Sequence, residues 1–192
     1  MHISDGIIST PVCIAAHAVS AGLIYFTGKG ADTEEIPKMG MTGAALFVAS
    51  LVQFPLAGTS VHLGLFGLTG ILLGKRSFPV IYTALLFQAV IFNQGGLLSL
   101  GLNAINMGAG AYAAWLVWKT GPLPEFIRAA AAGFFGIMIP ALMMTLEFKL
   151  SGYGSAIALL LLIYVITGAI EGAVTLSAVK FFRKVKPEIL EQ

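Results

Sequence analysis

The stretch "GSAIALLLLIYVITGAIEGAVTLSAVK" occupies residues 154–180 and decides the fold class. Glu171 is the only charged residue in it before Lys180. A bilayer core of about 30 Å is crossed by about 20 helical residues, and this apolar run exceeds that length. Because only helices and closed barrels satisfy their backbone polar groups in lipid, the stretch predicts a transmembrane helix.

The rest of the chain has the same apolar character. Of its 192 residues, 57% are hydrophobic and 10% are charged, and the mean hydropathy is +0.90. A soluble domain carries about 25% charged residues, so the composition predicts an all-α integral membrane protein. The few scattered basic residues exclude a nucleic-acid partner. The lone Cys13 excludes a disulfide framework and a cysteine-rich zinc site.

Apolar runs separated by polar residues, Gly or Pro predict a compact bundle of about seven transmembrane helices. The runs cover residues 10–28, 39–54, 62–74, 78–92, 104–119, 125–147 and 154–180. We expect one domain over residues 1–192, in a multi-pass protein of the cell membrane. No signal-peptide pattern precedes the first run, so we expect the N-terminus to be retained as made.

The basic residues predict the orientation, with the N-terminus outside and the C-terminus cytoplasmic. Ten of the eleven then lie on the inner side, and only Lys149 lies outside. The inner set is Lys29, Lys38, Lys75, Arg76, Lys119, Arg128, Lys180, Arg183, Lys184 and Lys186.

The opening residues "MHISDGIIS" (1–9) carry donors for a metal ion. The α-amine of Met1, the backbone nitrogen of His2 and the imidazole Nδ1 of His2 can close a five-membered and a six-membered chelate ring. Planar nitrogen coordination suits Ni²⁺ and Cu²⁺, and Co²⁺ fits the same donors, whereas Zn²⁺ prefers a tetrahedron. His62, at the end of an outer loop, is the candidate fourth ligand. For His17, inside the first run, we expect hydrogen-bonded packing instead.

Three polar residues within or at the start of apolar runs are candidates for support of this site. Glu171 is the acidic residue inside a span, and such residues are costly in lipid. It could accept hydrogen bonds from Asn103 or Asn106, orient a ligand loop or contact a partner. Asn103 and Asn106 share one helix face, where they could hold a loop or an imidazole tautomer, or could cap the helix. Asp5 with Gly6 predicts a turn that directs the N-terminus inward.

Four segments together resemble a known family. They are "MHISDG" (1–6), "PLAGTSVHL" (55–63), "FQAVIFNQGGLLSLGLNAINM" (87–107) and "TGAIEGAVT" (167–175). Along its whole length the chain resembles the substrate-capture (S) subunit of energy-coupling-factor cobalt/nickel transporters, the cobalamin-biosynthesis M-type permeases.

The resemblance implies a planar nitrogen site whose ligands are the Met1 amine, the His2 amide and imidazole nitrogens, and His62. It further implies that Gly58, Thr59 and Ser60 shape the loop that presents His62. Residues that hold the N-terminal plug (1–9) would be Gln88, Gly95, Gly96, Asn103 and Asn106. The cargo would be Co²⁺ or Ni²⁺, with no other cofactor.

The implied partners are the membrane, a scaffold (T) subunit, two ATPase (A) subunits and a small separate accessory subunit. Since the chain lacks a G-x-x-x-x-G-K-[ST] motif, separate subunits would hydrolyse ATP. Three alternatives are an intramembrane metalloenzyme, a secondary carrier or channel, and an S subunit for a vitamin. The chain lacks the H-E-x-x-H motif, which disfavours a metalloenzyme. Glu171 is nearly the only charged residue deep inside a predicted span, which disfavours a carrier or channel. A vitamin pocket would not need a free N-terminus.

Overall fold

The computed structural model describes residues 1–56, 59–153 and 157–191. Helices dominate it, in the order α1 (Thr10–Gly28), α2 (Glu35–Ser50), α3 (Phe66–Leu73), α4 (Ser77–Phe92), α5 (Leu100–Lys119), α6 (Glu125–Leu150) and α7 (Ile157–Val185). Short 3₁₀ helices cover Gly74–Arg76 and Pro187–Leu190. Strands β1 (Gln53–Leu56) and β2 (Thr59–His62) pair antiparallel, with Gln53 opposite His62.

Four segments of the described residues are long and apolar enough to cross a membrane. They are Thr10–Gly28, Phe66–Phe92, Glu125–Leu150 and Ile157–Val185. Their outward side chains are apolar, as for Phe26 in α1 and Leu162 in α7, which are 76% and 58% exposed. The predicted class, a helical membrane protein, is therefore confirmed, while these lengths support four spans rather than about seven.

Two predicted span boundaries are wrong. The run at 39–54 ends as a helix at Ser50, and its last residues belong to β1. Pro55 lacks an N–H and would clash inside a helix, so the chain leaves the helical path before it. The run at 62–74 becomes helical only at Phe66, and His62 is the last residue of a strand rather than the first of a span.

Close helix crossings at small residues form the centre of the bundle. A side-chain carbon at Gly70 of α3 would lie 2.1 Å from the Ala111 carbonyl oxygen of α5. One at Gly67 would lie 2.4 Å from Cα of Gly133 in α6. In lipid, such contacts replace the hydrophobic effect as the source of helix association. They place α3 deep between α5 and α6, so that its N-terminus lies close to α7.

Ionic contacts gather at the end of the bundle opposite residues 1–9. The buried Arg76 guanidinium donates to the carbonyls of Thr27 and Lys29 at 2.9 and 2.8 Å and pairs with Glu35 at 3.2 Å. Arg183 of α7 pairs with Glu125 of α6 at 2.5 Å. The two ends of the bundle are therefore chemically distinct.

Candidate metal centre

Residues 1–9 fold into one end of the bundle and bury their first residues. Met1 is 3% exposed, His2 4% and His62, at the end of β2, 4%. The imidazole rings of His2 and His62 stack with centroids 4.9 Å apart and an angle of 26° between their planes. Two nitrogens bound in cis positions to one ion lie about 3 Å apart, given metal–nitrogen bonds of about 2.0–2.1 Å. The stacking places the two imidazoles next to each other at this end of the bundle.

The hydrogen bond of His62 fixes its tautomer. Its Nδ1 lies 3.1 Å from the Leu63 carbonyl oxygen, which can only accept, so Nδ1 carries the proton. Its Nε2 is buried and has no hydrogen-bond partner within the described part of the chain. A neutral imidazole with one nitrogen held and the other presenting its lone pair is the form that binds a metal ion.

The electrostatics of the site favour the neutral bases. Burial lowers the pKa of the Met1 amine from 8.0 to about 4. Burial and the nearby amine lower the pKa of His62 from 6.5 to about 3, although its hydrogen bond to Leu63 opposes the shift. Burial, His62 and the amine also lower the pKa of His2. At neutral pH all three groups are therefore deprotonated, as metal ligation requires.

Asn103, in the first turn of α5, holds the chain just after His2. Its Oδ1 accepts a hydrogen bond from the Ile3 backbone N–H at 2.8 Å, and its Nδ2 donates to the Ile3 carbonyl at 3.0 Å. Both groups of one buried amide thus bind the backbone of one residue. This clamp fixes the two peptides that flank Ile3, directly after His2.

Asp5 forms a second clamp, with a partner that the sequence analysis missed. Its Oδ1 accepts the Ser99 backbone N–H at 2.8 Å and its Oδ2 accepts that of Leu98 at 3.2 Å. Partial burial raises the pKa of Asp5, but these hydrogen bonds outweigh it and lower the pKa. The Ser99 hydroxyl lies 2.7 Å from the Ile3 carbonyl and 2.9 Å from Asp5 Oδ1. Ser99 precedes α5 at the N-cap position yet makes no cap bond, because its side chain binds the plug.

Gly95 and Gly96 leave room for the plug. Their φ angles are +77° and +93°, a region that other residues rarely adopt. A side-chain carbon at Gly95 would lie 3.2 Å from Nδ1 of His2, and one at Gly96 would lie 2.2 Å from Cγ of Asp5. His2 and Asp5 therefore pack directly against the backbone of Gly95 and Gly96.

Replacing Gly96 with alanine should loosen the plug. A strained φ costs about 1–3 kcal/mol, and the new methyl group also collides with the Asp5 carboxylate. We expect faster hydrogen exchange at the amides of residues 3–8, measured by mass spectrometry, with the helices still protected. Gly28→Ala is the matched control, since nothing lies within 4 Å of its side-chain position. Unchanged exchange in Gly96→Ala would contradict the role of this glycine.

Glu171 of α7 supports the turn that follows His62. Its Oε1 accepts the backbone N–H groups of Gly64 and of Leu65, the latter at 3.0 Å. The carboxylate is fully buried and lies at the N-terminus of α3, where a negative charge is favoured. Of the alternatives from the sequence, orienting a ligand loop fits, whereas hydrogen bonds from Asn103 or Asn106 are wrong.

Other residues expected near the plug bind elsewhere. The buried Gln88 donates from Nε2 to the Ser50 hydroxyl at 2.5 Å and so joins α4 to the end of α2. Asn106 donates to Glu147 Oε2 at 2.7 Å. His17 is hydrogen-bonded as expected, with Nε2 3.0 Å from the carbonyls of Leu97 and Leu98. Gly58 and the side chains of Thr59 and Ser60 lie outside the described residues.

Within the described residues no three His, Cys, Asp or Glu side chains group closely enough to hold a metal ion. The two stacked imidazoles lie at the same end of the bundle as the buried Met1 residue.

Relatives are similar to this chain in sequence, and a solved structure shares its fold. The chain is 33% identical to a putative cobalt transport protein, CbiM 2, of Methanocorpusculum labreanum, over 100% of this chain and 93% of the relative. It is 28% identical to a putative fused nickel transport protein, NikMN, of Archaeoglobus fulgidus, over 100% of this chain and 68% of the relative. The crystal structure of a truncated transition metal transporter superposes with a TM-score of 0.85 at 23% identity, covering 96% of this chain and 99% of that one. That likeness shows a shared fold.

The family model described as the cobalt uptake substrate-specific transmembrane region matches residues 2–189. Relatives with cobalt and nickel in their names are transport proteins, in agreement with the resemblance in the sequence. Because the match extends over nearly the whole chain, this protein belongs to the CbiM family of cobalt/nickel uptake proteins.

Proposed function

We propose that the protein captures Co²⁺ or Ni²⁺ outside the cell in a planar site of four nitrogens. The ligands are the Met1 amine, the backbone nitrogen of His2, Nδ1 of His2 and Nε2 of His62. The observation that carries the proposal is the buried Nε2 of His62, which lacks a hydrogen-bond partner among the described residues and lies beside the His2 ring. An imidazole nitrogen left without a partner costs free energy unless it serves a ligand.

The supporting residues act by fixing the two ligand segments. Asn103 and Ser99 hold residues 3–5 on the end of α5, and Glu171 holds the turn after His62. The negative charges of the deprotonated His2 amide and of Glu171 offset the charge of the ion. Rigid placement of this kind reduces the cost of ordering the ligands when the ion binds.

We further propose that the chain is the substrate-capture subunit of an ATP-driven importer in the cell membrane. It would work with a scaffold subunit, two ATPase subunits and a small accessory subunit, and would not itself be an enzyme. The fused NikMN relative supports a membrane partner, since this chain spans 68% of its length. The clustering of Arg76, Arg183 and their partners opposite the plug supports an outer N-terminus and a cytoplasmic C-terminus.

The absorption spectrum of the Ni²⁺-loaded protein tests the planar site. Four nitrogens in a plane should give a yellow, diamagnetic complex, whereas oxygen-rich octahedral coordination would be paramagnetic. We expect one equivalent of Ni²⁺ to produce the yellow form in detergent-solubilised protein. A magnetic moment typical of octahedral Ni²⁺ would overturn the planar assignment. Zn²⁺, which prefers a tetrahedron, is the competing ion that should bind more weakly.

A further inference from the structure

A cavity of about 490 Å³ opens at the end of the bundle opposite the plug. It lies between the first turn of α2, the 3₁₀ helix Gly74–Arg76 and the end of α5. We call this space the basic cavity, because four basic and two acidic side chains line it: Lys38, Lys75, Arg76, Lys119, Glu35 and Glu191. None of the proposed metal ligands lines it.

The charges of the basic cavity do not balance within the chain. Arg76 pairs with Glu35 at 3.2 Å, so these two side chains neutralise each other. Three lysines then face Glu191 alone, which leaves the lining with a net charge of +2. Lys75 and Lys119 form no ion pair within the described residues. The cavity is therefore suited to an anion.

The ammonium groups keep hydrogen-bond donors available for such an anion. Lys38 uses one of its three N–H donors on the carbonyl of Ile189, at 2.8 Å. Nζ of Lys119 lies 4.3 Å from the ring centroid of Trp115, a cation–π contact that holds the ammonium at the wall of the cavity. Lysine binds phosphate groups as a point charge, so a phosphate is a fitting anion.

Aromatic residues place the basic cavity at the depth of lipid headgroups. The two tryptophans of the chain, Trp115 and Trp118, both lie at the end of α5, just before Lys119. Tryptophan and tyrosine are enriched at membrane–water interfaces, where one part of the ring is apolar and another is wet. Since Trp115 lines the basic cavity, the cavity opens at the level of this interface.

An apolar groove of about 580 Å³ between α2 and α4 adjoins the basic cavity, and Met39 lines both. The groove runs along α4 from Pro79 to Ile91. At 1.5 Å per residue this distance is about 18 Å, close to the depth of one leaflet of a hydrocarbon core of about 30 Å. The Thr83 hydroxyl in its lining already donates to the Pro79 carbonyl at 2.8 Å. The groove therefore fits a hydrocarbon chain.

We propose that the basic cavity and the apolar groove together bind one anionic phospholipid. Its phosphate would lie against Lys38, Lys75 and Lys119, and one acyl chain would lie between α2 and α4. A free phosphate ion would use the same lysines, but the adjoining groove and the position at headgroup depth favour a lipid. Basic pockets between transmembrane helices are known to hold anionic headgroups. The site is separate from the metal centre, so it does not depend on the planar nitrogen assignment.

Native mass spectrometry of the full-length protein released from detergent tests the headgroup. The probes are phosphatidylglycerol and phosphatidylcholine with identical acyl chains. One phosphatidylglycerol should bind at least about tenfold more tightly, because only this lipid carries a net negative charge. Lys75→Gln combined with Lys119→Gln should abolish the preference. Lys184→Gln combined with Lys186→Gln removes the same charge at the same end but outside the cavity lining, and should preserve it.

Gly40→Leu tests the acyl chain. Nothing lies within 4 Å of the side-chain position of Gly40, which lines the groove, so a leucine would occupy the groove without a collision. We expect phosphatidylglycerol to bind severalfold more weakly. Gly22→Leu in α1 is the matched control, since its side-chain position is equally open and lies outside the groove. Thermal unfolding in detergent shows whether each variant remains folded, and the affinity for Ni²⁺ should stay unchanged in all of them.

Three results would overturn the proposal. The first is equal affinity for the two lipids, or an unchanged preference when Lys75 and Lys119 are both replaced. The second is complete displacement of phosphatidylglycerol by an equal concentration of inorganic phosphate, which would assign the cavity to the free ion. The third is a lipid-free dimer that Gly40→Leu dissociates, which would assign the groove to a second copy of this chain.

Discussion

A Gly-Ser extension placed before Met1 should lower the affinity for Ni²⁺ and Co²⁺ by at least about 100-fold. The extension converts the primary amine into an amide and leaves His2 at an internal position, so the five-membered chelate ring that includes the Met1 amine is lost. Mutations of groups that only support a ligand cost about 10–100-fold, and the loss of direct ligands should cost more. Burial of Met1 at 3% exposure also means that added residues cannot be accommodated without displacing the plug.

The measurement is a competition titration against a chelator of known affinity, with the yellow Ni²⁺ absorption as the signal. The same Gly-Ser pair added after Gln192 is the control, and it should leave the affinity unchanged. Thermal unfolding of the metal-free variants checks that the bundle remains intact. Equal Ni²⁺ affinity in the extended and unextended proteins would rule out the terminal amine as a ligand.

His62→Ala is the second change with a large expected effect, a loss of at least about 100-fold in affinity. It removes the one proposed ligand that comes from outside the N-terminal segment, and with it the proposed link between the ion and the hairpin of β1 and β2. The three N-terminal donors would remain, so a residual complex with water or another ligand in the fourth position should form. Its absorption should shift from that of the four-nitrogen complex.

Two variants make this test specific. His62→Gln nearly preserves the side-chain volume but lacks the imidazole nitrogen, and should behave like His62→Ala. His17→Ala removes the other histidine outside the plug, whose Nε2 already contacts the carbonyls of Leu97 and Leu98, and should keep the affinity nearly unchanged. If His17→Ala abolished binding and His62→Gln did not, the fourth ligand would be reassigned to His17.

Much of the fold class could be predicted from local patterns. Apolar runs such as residues 157–170 predict a transmembrane helix by themselves. Their side chains contact either lipid or another helix, and the identity of that other helix does not matter. The region between residues 51 and 65 was harder. There Pro55 and the short strands end the helical pattern, and the pairing of Gln53 with His62 depends on contacts across the hairpin.

The contacts that hold the N-terminal segment were harder to predict than the donor atoms that the segment carries. The chemistry of Met1 and His2 follows from covalent structure alone, since the amine and the first amide are adjacent in any fold. The hydrogen-bond partner of Glu171 cannot be predicted in this way, because Gly64 lies 107 residues away and no periodicity identifies it. Ser99 stands at the N-cap position of α5, but its hydroxyl binds the plug instead of capping the helix. The sequence position alone does not indicate that contact.

The sequence by itself determined that this is a helical membrane protein, that its first two residues can chelate a late first-row metal ion, and that His62 is a candidate fourth ligand. Only the tertiary structure decided that His2 and His62 stack 4.9 Å apart, that Asn103 clamps Ile3 from 100 residues away, and that lysines from separate elements line the basic cavity. The physical reason is the range of the interactions. Hydropathy and chelate geometry act over a few neighbouring residues, whereas the choice of a buried polar partner depends on how whole helices pack.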